Sequence, residues 1–232
     1  MGIFNTSIYG EYGFTDRVTG IVYFPFFSRA LQNNEVSATT NDIITPGDAV
    51  NGIGDADLSL KFGITDPNAG GLAVSATVTF GLPLGETAGG VRENLQLGDG
   101  EFNQMLTIDA GSGWQAGNIP MYANASLGYN NKTKGFSDEV RYGAEVGANI
   151  ANKKLWIIAR LSAVESTKNG DDRAPANATS IFANNTEFTS IGGEVAYNIS
   201  DNWGVSASYM SAVRGEIIFA SPSYSFGVFT KF

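Results

Sequence analysis

Leu72-Ala73-Val74-Ser75-Ala76-Thr77-Val78-Thr79-Phe80-Gly81-Leu82 alternates without a break between apolar residues at even positions and small or hydroxylated ones at odd positions. Side chains on a β-strand point alternately to its two faces, so this stretch makes one greasy face and one small, polar face. The pattern recurs on either side. Leu58, Leu60, Phe62 and Ile64 alternate with Asp57, Ser59, Lys61 and Gly63. Val140, Tyr142, Ala144, Val146, Ala148 and Ile150 alternate with Arg141, Gly143, Glu145, Gly147 and Asn149. Further segments follow at Met121–Tyr129, Leu155–Leu161, Ile191–Tyr197 and Trp203–Tyr209. About eleven such strands are expected from these alternations and the turns between them.

The faces decide the fold class. A soluble sandwich fills its inner face with bulky residues and turns Lys, Glu, Thr and Arg outward. Here the polar face is built of Gly, Ser and Asn. That suits a polar interior inside an apolar outer band, so an all-β, transmembrane, antiparallel up-and-down β-barrel of about twelve strands is expected. Tyr9, Tyr12, Phe14, Tyr129, Tyr142, Tyr197, Trp203 and Tyr209 lie toward strand ends, where aromatic girdles meet lipid headgroups. A secreted lectin-like sandwich is the soluble competitor.

Composition narrows the function. The 232 residues suffice for one β domain, with no need for a second. No stretch approaches the ~18 apolar residues of a spanning helix, and Met1-Gly2-Ile3-Phe4-Asn5 has no signal-peptide character. Cys and His are both absent, which excludes disulfides, Cys- or His-based nucleophilic catalysis and most zinc sites. Cofactors are not implied. A net charge of -9 and a pI near 4.5 argue against nucleic acid.

Connections alternate between short and long. Thr15-Asp16-Arg17, Thr65-Asp66-Pro67, Ala116-Gly117-Asn118, Asn152-Lys153 and Ser200-Asp201-Asn202 are the tight ones, with Asp side chains suited to bonding nearby backbone. Barrels of the outer membrane keep short turns periplasmic and long loops outside. The long connections, roughly 28–52, 83–100, 130–138, 165–186 and 214–221, are rich in carboxylates, Glu35, Asp48, Glu86, Asp99, Asp138, Glu139, Asp171 and Asp172 among them. Solvated loops explain this, with divalent cations bridging to lipopolysaccharide as the alternative. On this alternation the first strand starts outside. An odd count of eleven therefore predicts that residues 1–232 lack one N-terminal strand of the whole barrel.

The last strand, with Tyr224, Phe226, Val228 and the terminal Phe232 on one face, resembles the C-terminal signal that the barrel-assembly machinery recognises. Gly52-Ile53-Gly54-Asp55 leading into Ala56–Phe62, the run Thr77–Gly85, and Gly98-Asp99-Gly100 resemble the phenol meta-pathway transporter-like family, also called the MetA-pathway phenol degradation family. The resemblance implies an outer-membrane barrel associated with uptake of aromatic or other apolar compounds.

By parity the charges facing the interior are Glu11, Asp57, Lys61, Asp109, Arg141, Glu145, Arg160 and Glu194. They either line a pore and set its selectivity or pair across strands and fill a narrow lumen. Glu11, Glu145 and Glu194 lie on separate strands, which speaks against a paired-carboxylate hydrolase, and no enzyme activity is expected. Phe24, Phe26 and Phe27, around Pro25, interrupt the alternation of the second strand. They read as an apolar gate or, more simply, as part of the outer girdle. The Asn177-Ala178-Thr179 and Asn184-Asn185-Thr186 sequons carry no weight beyond polar loop. The expectation is a monomeric outer-membrane channel for passive uptake of small molecules, with membrane lipid, lipopolysaccharide, the assembly machinery and the solute as partners. The alternative is a non-conducting structural or surface-binding barrel that engages a partner through its acidic loops.

Overall fold

The computed structural model describes residues 1–66, 70–171, 182–219 and 221–232. Pro67, Asp172 and the Asn177 sequon lie outside them. The strands are β1 (Gly2–Gly13), β2 (Val18–Gln32), β3 (Glu35–Val36), β4 (Ile43–Thr45), β5 (Asp48–Gly52), β6 (Ala56–Gly63) and β7 (Ala73–Leu82). They continue with β8 (Asn103–Ala116), β9 (Ile119–Asn131), β10 (Glu139–Ile150), β11 (Leu155–Ser166), β12 (Glu187–Asn198), β13 (Trp203–Glu216) and β14 (Ser223–Thr230). Among the described residues no helix is long and apolar enough to cross a membrane.

Sequence neighbours pair antiparallel from β1 to β14, in the order β1-β2-β6-β7-β8-β9-β10-β11-β12-β13-β14. Eleven strands follow this path. A twelfth, β5, joins the same sheet by pairing with the outer half of β2, while β6 pairs with the inner half. β5 and β6 are thus two lengths of one strand, interrupted at Ile53-Gly54-Asp55. The sequence had assigned 28–52 to a loop, but β2 runs on to Gln32 and the connection carries β5 and the small β3–β4 hairpin. Among the described residues no ladder joins β1 to β14.

The sheet curls into a half-barrel. Asp57 on β6 and Arg141 on β10 are four strands apart, about 19 Å along a flat sheet, yet Arg141 acts electrostatically on Asp57. Only curvature brings them within range. Burial is inverted relative to a soluble protein: on β7 Thr77 is 8% exposed, whereas Val78 and Phe80 are 41% and 43% exposed. The concave face is polar, with Ser59 and Thr79 hydroxyls 2.8 Å apart across the β6–β7 pair. The convex face carries the aliphatic and aromatic side chains, which lipid would cover.

One irregularity explains the broken alternation in β2. The β1–β2 register slips between Thr6 and Ile8, so two residues of β2 oppose one of β1, as in a β-bulge. Beyond it Ser28 and Ala30, rather than odd-numbered residues, share the concave face with Ile3. Phe24 sits opposite Ile8 and Phe27 opposite Thr6, on the convex side, and Phe26 lies in the bulge itself. Tyr9 differs from the other proposed girdle residues: it shares the concave face with Tyr23 and donates its hydroxyl to Glu11.

Candidate functional site

The concave face of β1, β2 and β5 is apolar at its outer end, where Ile3, Ala30 and Val50 stand side by side. Such a patch inside a polar lumen has to be covered, and the β7–β8 connection covers it. Leu95 and Leu97 are 0% and 4% exposed against it. The β7–β8 connection therefore turns inward over the mouth at residues 95–100 while Val91 stays exposed, which corrects the reading of 83–100 as solvated loop throughout.

Hydrogen bonds hold this loop on two sides. On the β5–β6 side, the Asp55 carboxylate accepts the backbone N–H groups of Gly85 at 2.8 Å and Asp99 at 2.9 Å. Asp48 accepts the N–H of Val91 at 2.6 Å. Gly98 touches Asp55 so closely that a Cβ there would overlap the carboxylate. On the β9–β10 side, Lys132 bridges Asp99 at 3.3 Å and Glu139 at 3.4 Å. The Thr133 hydroxyl donates to Glu101 at 2.8 Å, and Lys134 donates to the carbonyl of Gly100. Glu101 is fully buried.

Burial pushes the Asp55 carboxyl above the usual carboxylate range. The two N–H donors oppose that shift and the charge of Asp99 adds to it. Burial raises Glu101 as well, against the hydrogen bonds from Thr133. Asp138 differs. Burial acts to raise it, but donors from Asn169, the Lys132 backbone, Tyr129 and Asn131 outweigh burial and hold it below the usual range.

Below the loop the eight predicted interior charges fall into groups. Arg160 donates to Glu145 at 2.9 Å and to Glu194 at 2.7 Å, forming a triad across β10, β11 and β12. Arg141 pairs with Glu139 at 2.7 Å near the mouth and acts across the lumen on Asp57. Lys61 acts on Asp109, two strands away. Glu11 stands apart, with Tyr9 as its partner. Cross-strand pairing and lumen lining thus occur at the same positions. A cavity of about 460 Å³ lies toward the short turns, lined in part by Arg17, Lys61, Asp109, Tyr122 and Asn124. Another of about 260 Å³, beside Glu145 and Arg160, shares Asn124 with it.

Sequence reasoning missed Asp55, Leu95, Leu97, Glu101, Lys132, Tyr122 and Asn124. The first had a signal: it lies in Gly52-Ile53-Gly54-Asp55, and its two donors lie in Thr77–Gly85 and Gly98-Asp99-Gly100, so the three glycine motifs meet at one carboxylate. Of the C-terminal signal residues, Tyr224, Phe226 and Val228 are exposed on the convex side of β14, and Phe232 is fully exposed beyond it.

Residues 5–225 match the family model described as putative MetA-pathway of phenol degradation. Among solved structures, the crystal structure of the COG4313 outer membrane channel from Pseudomonas putida F1 superposes with a TM-score of 0.57 at 15% identity. The match covers 96% of this chain and 79% of that one. At such identity the likeness speaks for the fold: an antiparallel barrel sheet of the same kind. No curated protein matches the chain.

Proposed function

The chain belongs to the family described as putative MetA-pathway of phenol degradation, and on that premise we propose that it is an outer-membrane channel for passive uptake of small molecules, aromatic compounds among them. The observation that carries this reading is the inverted burial: Val78 and Phe80 face outward while Thr77 is buried on the concave face. A sheet built that way needs lipid outside and water or solute inside. The cavities beneath the loop supply space for the solute. The absence of His and Cys supports transport over catalysis. In this reading the chain acts as a monomer, with lipopolysaccharide around its outer rim and the assembly machinery engaging its last strand.

A second reading has its own observation. The 83–102 connection fills the outer mouth with buried Leu95, Leu97 and Glu101, which suits a non-conducting barrel that engages a partner at its surface. Planar-bilayer recording separates the two. Discrete openings, together with solute-dependent swelling of liposomes, support the channel. Insertion without openings or swelling sinks it.

A further inference from the structure

On β10, β11 and β12 opposite charges stand on adjacent strands and touch: Arg160 reaches Glu145 at 2.9 Å and Glu194 at 2.7 Å. Lys61 and Asp109 are placed differently. β7 runs between their strands, so their backbones stand two strand spacings apart, roughly 10 Å on a flat sheet. Lys61 lies opposite Thr77 and Asp109 opposite Ser75, so β7 puts only small hydroxylated side chains between the two charges. Lys61 acts on Asp109 electrostatically, yet among the described residues neither side chain makes a hydrogen bond or an ion pair. Both line the cavity of about 460 Å³ toward the short turns, and Asp16 and Arg17 of the β1–β2 turn add one further charge of each sign to its lining. That volume falls within the ~300–1,000 Å³ of ordinary small-molecule sites.

Lys61 and Asp109 are both partly buried. Charges so placed have given up some hydration and gained no contact in exchange. A lone anion in the cavity is drawn to Lys61 and repelled by Asp109, and a lone cation meets the converse. A ligand that carries both charges is attracted at both ends. We propose that Lys61 and Asp109 form a binding site for small zwitterions, with the ligand carboxylate on the Lys61 ammonium and the ligand ammonium on the Asp109 carboxylate. The hydroxyls of Thr19 and Ser75, which line the same cavity, supply donors and acceptors along the span.

This site adds a solute class to the channel reading and rests on it for its purpose, but its test is binding and not conduction. The purified chain in detergent micelles is titrated at pH 7 with 4-aminobutanoate, butanoate and butylammonium, and saturation transfer from protein to ligand is followed by NMR. The three share one carbon chain and differ in their charged ends; empty micelles give the blank. 4-Aminobutanoate should bind about tenfold more tightly than either single-charge compound, as one further charged contact allows. Lys61→Met and Asp109→Asn should each erase that preference. The exchange Lys61→Asp with Asp109→Lys should restore it, because the ligand can turn end for end. Equal binding of the three compounds to the unmodified chain overturns the proposal whether or not the variants fold, and so does a preference that survives both single substitutions. Zwitterion binding without bilayer openings removes the channel and keeps the site. Openings without zwitterion preference do the reverse.

Discussion

The carboxylate of Asp55 accepts the backbone N–H of Asp99 at 2.9 Å across 44 residues of sequence. With the N–H of Gly85 at 2.8 Å on its other oxygen, one side chain fastens both ends of the loop that fills the barrel mouth. Hydrogen bonds to a charged acceptor contribute about 1.5–3 kcal/mol each, and here both act on a single loop.

Asp55→Ala should therefore release the loop. The N–H groups of Gly85 and Asp99 lose their acceptor, while the strands keep their ladders. Single-channel conductance should rise, and thermolysin added outside intact cells should cut between residues 86 and 95 faster than it cuts the unmodified chain. Unchanged conductance together with unchanged resistance would count against Asp55 as the fastening.

Acidification should tighten the same loop. Burial holds the Asp55 and Glu101 carboxyls above the usual carboxylate range. Between the ordinary value near ~4 and the raised one, the closed loop binds more protons than an open loop, so closure is strengthened as pH falls through that window and weakened as it rises. Openings in bilayers should become rarer between pH 7 and about pH 4.5. Asp55→Asn should flatten the response, and an opening frequency that rises on acidification contradicts the assignment.

The turn after β9 should show the opposite sign. Asp138 is held below the usual range by four donors, so its stabilisation is present above the ordinary carboxylate value and is lost as pH falls through the depressed one. Asp138→Asn should cost about 2 kcal/mol in that turn. Faster amide exchange at Lys132, whose N–H bonds the Asp138 carboxylate, is the measurement.

Arg160 is the positive partner of two carboxylates on the lumen wall, Glu145 and Glu194. Arg160→Leu removes one positive charge and takes the cationic partner from both carboxylates. The partly exposed positions should limit the loss of urea stability to roughly 1–3 kcal/mol. Reversal potentials in a salt gradient should move toward cation selectivity. A shift toward anions would refute the placement of this triad in the lumen.

The β10–β11 turn offers a stabilising substitution. Ala151, Asn152 and Lys153 all have positive φ, with Ala151 at 51°. That region costs a residue with a Cβ roughly 1–2 kcal/mol and costs glycine little. Ala151→Gly should raise the urea midpoint by an amount equivalent to about 1 kcal/mol, and a lower midpoint would show that the turn is not strained there.

What the sequence determined by itself was everything that depends on period two. Alternation at Leu72–Leu82 and its repeats sets strand identity, sheet order and face, because a strand has only two faces and a one-residue slip would exchange them all. The same parity put Glu145, Arg160 and Glu194 on one wall, where the structure pairs them. Only tertiary structure decided where alternation stops. The bulge between Thr6 and Ile8 exchanges the faces of β2 beyond it, turning Ser28 and Ala30 inward and Phe27 outward, and no local pattern announces which residue is doubled. Nor could parity say that 83–102 turns inward, since a loop's path is set by what it can bury. An apolar patch at Ile3, Ala30 and Val50 and one carboxylate at Asp55 are brought beside it by strands distant in sequence. The glycine motifs were visible from the outset, but their common purpose is a contact among three segments, and that exists only in the folded barrel.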